Sequence, residues 1–259
     1  MGLKAVEAKL NWLHHHFQIF DEAVSTYTNP QNINFRPKRY NDAKTMTWGG
    51  FESKIEGDAL AVISHMFGDV LQTANSSLDY LVCELFLQSN PEEEAKPSHK
   101  FPIVYNRGAF NQAIGGDALY GIPFEAVAVI EGLQPYHGGA DSIQARLAAL
   151  RTLTNTHKHR KLHVSALTAC PVPSDPADLI EKDGEFFVLA KNMPKAQHFN
   201  AELGPFPVIE NGKVDMDYKF SPVVVLEEKG FREEPINLFA ARLCEALGSA
   251  IMKFKPFFE

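Results

Sequence analysis

A chain of 259 residues with 45% hydrophobic composition is long enough to bury a core of its own. A formal charge of -7 and a pI near 5.8 exclude a protein built to coat nucleic acid, which needs a basic surface to displace counterions from phosphates, and leave room only for a local basic patch. Cys83, Cys170 and Cys244 are too few and too scattered for a disulfide or zinc framework and are expected as buried thiols; with no bilayer-length apolar run and no signal-peptide pattern, the expected location is the cytoplasm.

In chain order, Val6, Leu10, Leu13, Phe17, Phe20 and Val24 fall at alternating spacings of four and three, the stripe of one long amphipathic helix. The run "HHH" at 14–16 points in three directions on that helix and reads as surface histidines. Residues 31–52, with Pro, Asn and Gly punctuation around "TMTW", predict a hairpin. A long helix follows from about Asp58 to Leu87, then a solvated loop and a short extended "FPIVY". A shorter helix is expected from about Pro123 to Leu133, and another after the caps Asp141 and Ser142, with Ile143, Leu147, Leu150 and Leu153 on its buried face.

Beyond "PVPSDPAD" the texture turns to β-runs, "DLIEKDGEFFVLAK" and "PFPVIENGKVDMDYKF", broken by Asp183-Gly184 and Asn211-Gly212, and then "SPVVVLEE". Pro235 opens a final helix bearing Ile236, Phe239, Leu243, Leu247, Ile251 and Phe254. The expected class is α+β: a bundle of four to five main helices with a small antiparallel sheet inserted before the C-terminal helix. We expect one composite domain over 1–259, with the bundle at 1–165 and 235–259 and the β-rich segment at about 166–230.

Chemistry, if any, gathers at "RTLTNTHKHRKLH", where three histidines, two lysines and two arginines fall within thirteen positions. On the long helix, Asp69, Gln72, Ser76 and Asp79 form a polar row that is either a solvated face or the lining of a polar seam. Gly68, unfavourable in mid-helix, suggests the close approach of another backbone. If the two helices pack antiparallel, Asp79 meets Lys158, His159 or Arg160, and Asp69, Asp79, Asn155, Lys158, His159 and Arg160 form a binding site. A phosphate-containing ligand suits such a cluster and is held more tightly as imidazoles gain protons; the plainer reading is a set of cations favoured by a helix C-terminus.

The set "GDVLQTANSSLDYLV", "FPIV", "IEGLQPYHGG" and "NTHKHRKL" resembles an uncharacterised bacterial protein family with a Gly-Asp helix ending in Leu-Asp, a Gln-Pro-Tyr segment and a Lys-His-Arg motif. The resemblance covers residues 57 to 165 and implies the pairing of Asp79 with Lys158, His159 and Arg160. Where members carry His-Asn-Leu-Arg-Ser and Ala-Leu-Asp-His, this chain has Gln72 to Ser76 and Ser77 to Tyr80, without the basic and imidazole groups. A fainter similarity is to the HEPN superfamily, whose nucleases carry four to six residues between an Arg and a His, as five residues separate Arg151 and His157 here. It implies a metal-independent ribonuclease with Arg151, His157, His159 and Arg160 as catalytic candidates.

No metal site is expected: His159 and His163 share a helical face, but no Glu follows His159, and Lys158, Arg160 and Lys161 repel a divalent cation. Walker, dinucleotide and nucleophile-elbow patterns are missing, so no cofactor is expected either. The reading that follows is an interaction or anion-binding protein, with RNA as a partner only under the ribonuclease alternative. Phe254, Phe257 and Phe258 crowd the chain end and predict docking onto this chain or a homodimer.

Overall fold

The computed structural model describes residues 2–39, 45–53, 58–169, 179–182, 185–188, 197–198, 203–207, 221–228, 231 and 234–259. The protein is α+β, and the described residues divide into two compact units. The first holds Met1–Asp21, Ile63–Leu162 and Asn237–Glu259, and the second Glu22–Val62 and His163–Ile236. Among the described residues no helix is long and apolar enough to cross a membrane.

The helices are α1 (Leu3–Tyr27), α2 (Ala59–Ser89), α3 (Arg107–Gly115), α4 (Phe124–Gly132), α5 (Ile143–His159) and α6 (Ile236–Met252). Five of the six begin where the sequence supplies a cap or a fixed φ. Asp58 Oδ1 accepts from the Ala61 N–H at 2.9 Å, Asn106 Oδ1 from Ala109 at 2.8 Å and Ser142 Oγ from Ala145 at 3.1 Å, each satisfying a donor the helix leaves orphaned. Pro123 and Pro235 precede α4 and α6.

In the first unit the core forms from the expected stripes. Val6, Leu13 and Phe20 of α1 are buried, whereas Leu10 and Phe17, set to the side of that line, are half-buried. Leu71, Leu78 and Leu85 of α2, Leu147, Leu150 and Leu153 of α5, Phe239, Leu243, Leu247 and Ile251 of α6, and Phe254 just beyond it are buried. The Phe67 ring of α2 lies 5.5 Å from that of Phe20 and 6.0 Å from that of Phe239, the second pair edge-on, so one aromatic cluster joins α1, α2 and α6.

The chain end is covered by its own unit. Phe254 is fully buried, Phe257 and Phe258 are half-buried, and the Phe258 ring would lie 3.5 Å from a Cβ at Gly2. Much of the apolar area that would recommend a second subunit is therefore covered within the chain.

The second unit contains β1 (Ile33–Arg39), β2 (Thr45–Ser53), β3 (Val164–Ala169), β4 (Leu179–Lys182), β5 (Glu185–Val188), β6 (Gln197–His198), β7 (Leu203–Pro207) and β8 (Ser221–Leu226). β1 and β2 form the expected hairpin, and β7 joins the other edge of β2. β8 pairs with β3 along its whole length, and β4 pairs with β5 from Leu179↔Val188 to Lys182↔Glu185. All these pairings are antiparallel. The turn residues Asp183-Gly184 and Asn211-Gly212, and Cys170, lie outside the described residues.

Candidate functional site at the end of helix α5

Helix α5 has two faces, and the basic cluster is divided between them. Leu150, Leu153, Thr154 and His157 recur at helical spacing on the inner face: the first three are buried and His157 is half-buried. Arg151, Asn155, Lys158 and His159 follow the i, i+4, i+7, i+8 pattern on the opposite side, and all four are exposed. Arg160 ends the helix in an extended conformation (φ -160, ψ 160), its N–H still bonded to the Thr156 carbonyl. His157, Lys158 and His159 occupy the last turn, where the helix dipole favours positive charge.

His157 meets α2 at Gly68. A Cβ at that position would collide with the Cε1–Nε2 edge of the imidazole, so the glycine admits the ring. Nδ1 of His157 is buried without a hydrogen bond, and so is the hydroxyl of Thr154 one turn before it. Further along, Ser64 Oγ donates to the Leu162 carbonyl at 2.8 Å. The pairs 157/68 and 162/64 run in opposite chain directions, the antiparallel approach expected of the two helices. The group that comes close at Gly68 is a side chain and not, as the glycine suggested, another backbone. Arg151 and His157, six positions apart on one helix, stand on different faces, and the imidazole that shares the exposed face of Arg151 is His159.

The polar row of α2 is partly solvated: Asp69 is exposed, and Gln72, Ser76 and Asp79 are half-buried. Asp79 does not make the expected bond to Lys158, His159 or Arg160. Its Oδ1 accepts from the Phe101 N–H at 3.0 Å, and its Oδ2 from Asn75 Nδ2 at 3.4 Å. Burial raises the pKa of this carboxyl, while the Phe101 N–H and the charges of Lys100 and Lys158 pull it down, so Lys158 acts on Asp79 through its field and not as an ion pair.

Two of the polar side chains singled out in the sequence act on the same extended segment. Asp79 of "SLDY" holds Phe101 at the start of "FPIV", and Gln134 of "LQPY" holds its end, with Oε1 accepting from the Val104 N–H at 2.9 Å. Gln134 is fully buried, and its Nε2 donates to the Ile130 carbonyl at 2.9 Å. An extended segment that has no strand partner among the described residues thereby finds partners for two of its backbone donors.

Replacing Asp79 by Ala should cost about 1–2 kcal/mol, the value of a charge-assisted hydrogen bond discounted for partial exposure, and Asp79→Asn, which keeps an acceptor, less. A carboxyl with a raised folded pKa contributes stability that is complete below its unfolded value of 3.8 and is lost as pH rises through the folded value. Asp79→Asn should therefore gain on the wild type as pH rises through that window. Urea midpoints at a series of pH values check both signs, and equal midpoints for Asp79→Ala and wild type would sink this role of Asp79 in holding Phe101.

A cleft of about 460 Å³ lies at the start of α5, lined by Asp141, Ser142, Arg146, Arg242 and Glu245 among others, at the opposite end of the helix from the basic residues. Among the described residues no group of three or more His, Cys, Asp and Glu side chains is placed to hold a metal ion. Fold and site together define an α+β protein whose helical unit carries an exposed basic helix end. No family model, no curated protein and no solved structure matches the chain.

Proposed function

We propose that the chain binds a phosphate-bearing ligand on the exposed face of α5 formed by Arg151, Asn155, Lys158 and His159, adjoined by Arg160 and Lys161. The observation that carries this reading is the common exposure of those four residues at helical spacing, which puts two fixed cations, an amide donor and an imidazole on one surface. Within an acidic chain, such a concentration of positive charge draws anions locally. The binding group of the sequence reading contracts accordingly: Asp69 is an exposed residue of α2, Asp79 is engaged with Phe101, and the ligand falls to Asn155, Lys158, His159 and Arg160 with Arg151. The HEPN-like ribonuclease reading runs through His159, since His157 is held against Gly68. A homodimer through Phe257 and Phe258 would use only their exposed halves.

Titration calorimetry with inorganic phosphate and with a short RNA tests the proposal. The double reversal Arg151→Glu, Lys158→Glu should weaken binding of either ligand at least tenfold, with the unfolding midpoint unchanged. Wild-type binding that both reversals leave intact overturns it. Cleavage of the RNA in chelator, lost in His159→Ala, would move the assignment to the ribonuclease, and capture of an acidic protein without phosphate affinity would move it to a protein-interaction role.

A further inference from the structure

Beyond Ser89 the chain doubles back over the last turns of α2, and the fastening there centres on one histidine. Lys96, Pro97, Ser98 and His99 form a turn whose second position suits the fixed φ of proline. The His99 N–H donates to the Lys96 carbonyl at 3.0 Å, and the Lys96 N–H donates back to His99 Nδ1 at 3.1 Å, so one residue closes the turn from both sides. The imidazole is 2% exposed and lies on the Phe86 ring of α2, with centroids 4.2 Å apart. Cys83 Sγ, one turn earlier on α2, donates to the His99 carbonyl at 3.8 Å.

The segment 117–121 is tied to the same place. The Lys100 N–H reaches the Ala118 carbonyl at 3.4 Å, and Lys96 Nζ lies 5.4 Å from the centre of the Tyr120 ring. Gly121, at φ +73, sits so close to Phe86 that a Cβ would come within 2.7 Å of the ring, and its carbonyl accepts from Asn90 Nδ2 at 3.0 Å.

We infer that His99 is an acid-operated latch: its neutral ring fastens segments 96–101 and 117–121 onto α2, and a proton gained at Nδ1 releases them. As an acceptor from the Lys96 N–H, Nδ1 must be bare, which puts the ring hydrogen on Nε2. Protonation sets a second N–H against that donor and places a charge where water does not reach. Nε2 is buried and closes no hydrogen bond of good geometry, so nothing on that side compensates fully.

The charged and titratable groups facing the ring come from every side: Lys96 and Glu93 from its own loop, Asp117 from the facing segment, and from α2 the Cys83 thiol with Asp79 and Glu84 beside it. Burial first and Lys96 second hold the imidazole below its ordinary value of 6.5, against the Tyr120 backbone, Asp117 and Glu93. A depressed pKa contributes stability that is complete above 6.5 and is lost as pH falls through the folded value, so acid opens the latch.

Amide hydrogen exchange on the full chain, corrected for intrinsic rates, tests this. Between pH 7.5 and 5.5 the protection of Lys96 and Phe101 should fall severalfold, while Leu81 and Val82 of α2 keep theirs. His99→Asn, whose Oδ1 can accept from Lys96 but takes no proton, should flatten the dependence, with His99→Gln as a second such variant. A flat wild type, an equal fall in a folded variant, or parallel loss at Leu81 and Val82 overturns the latch. So does a ring that nuclear magnetic resonance of the folded wild type finds titrating at or above 6.5.

Discussion

Phe67→Ala should lower the unfolding free energy by about 3–5 kcal/mol, the range for deleting a fully buried aromatic ring that its surroundings cannot replace. The ring has no exposed surface and touches two others, Phe20 and Phe239, each on a different helix. Its removal opens a cavity where α1, α2 and α6 converge, and the remaining rings, themselves fully buried or nearly so, cannot close it without leaving their rotamers. The Arg146 guanidinium, 5.4 Å from the centre of the Phe239 ring, rests on the same cluster, so the loss should also loosen the start of α5. Guanidinium denaturation should show a lower midpoint with little change in slope, because the surface exposed on unfolding is nearly the same. A loss below 1 kcal/mol would mean that this cluster does not anchor the bundle. Phe67→Leu, which keeps most of the apolar volume, should cost markedly less.

Helix periodicity was the most legible feature of the sequence, and α6 shows why: six apolar residues at spacings of three and four define a core face without any knowledge of what lies opposite. Helix α3 escaped the same reading because it is nine residues long and buries Phe110 alone, although the Asn106 cap was there to mark it. Strand β3 escaped because "VSALTA" carries little alternation of its own and is held by β8, far along the chain, a pairing that leaves no local trace. The addition of β7 to the edge of β2 is invisible for the same reason.

At the site, Gly68 rightly marked a close approach, but the residue that approaches follows from extending the inner face of α5 one turn past Leu153 to His157. The partner of Asp79 was misassigned because a backbone N–H, which every residue except proline offers, has no signature in sequence. A carboxylate near a basic motif invites an ion pair on paper. The chain satisfies this one with the amide of Phe101.

Gly68→Leu should cost about 2–3 kcal/mol in the wild type, since already its Cβ enters the volume of the His157 imidazole. Gly68→Ala sets two effects against each other. A mid-helix Gly→Ala exchange gains roughly 1 kcal/mol of helix propensity, whereas displacing a packed ring forfeits about 1–3 kcal/mol, so the net change should be a smaller loss. Removing the ring decides which effect is at work. In His157→Ala the space over Gly68 is vacant, and Gly68→Ala should then stabilise by up to about 1 kcal/mol, giving a coupling of roughly 2 kcal/mol between the two positions. His157→Ala alone should be milder than an ordinary large-to-small core change, because the lost ring carries a buried nitrogen that bonds nothing. Midpoints of the four proteins of this cycle supply the measurement. A coupling near zero would show that the imidazole moves aside without cost, which would return His157 to the list of groups free to act on a ligand; a strong coupling fixes it as the knob that sets α5 on α2 and leaves the exposed face of α5 to do the binding.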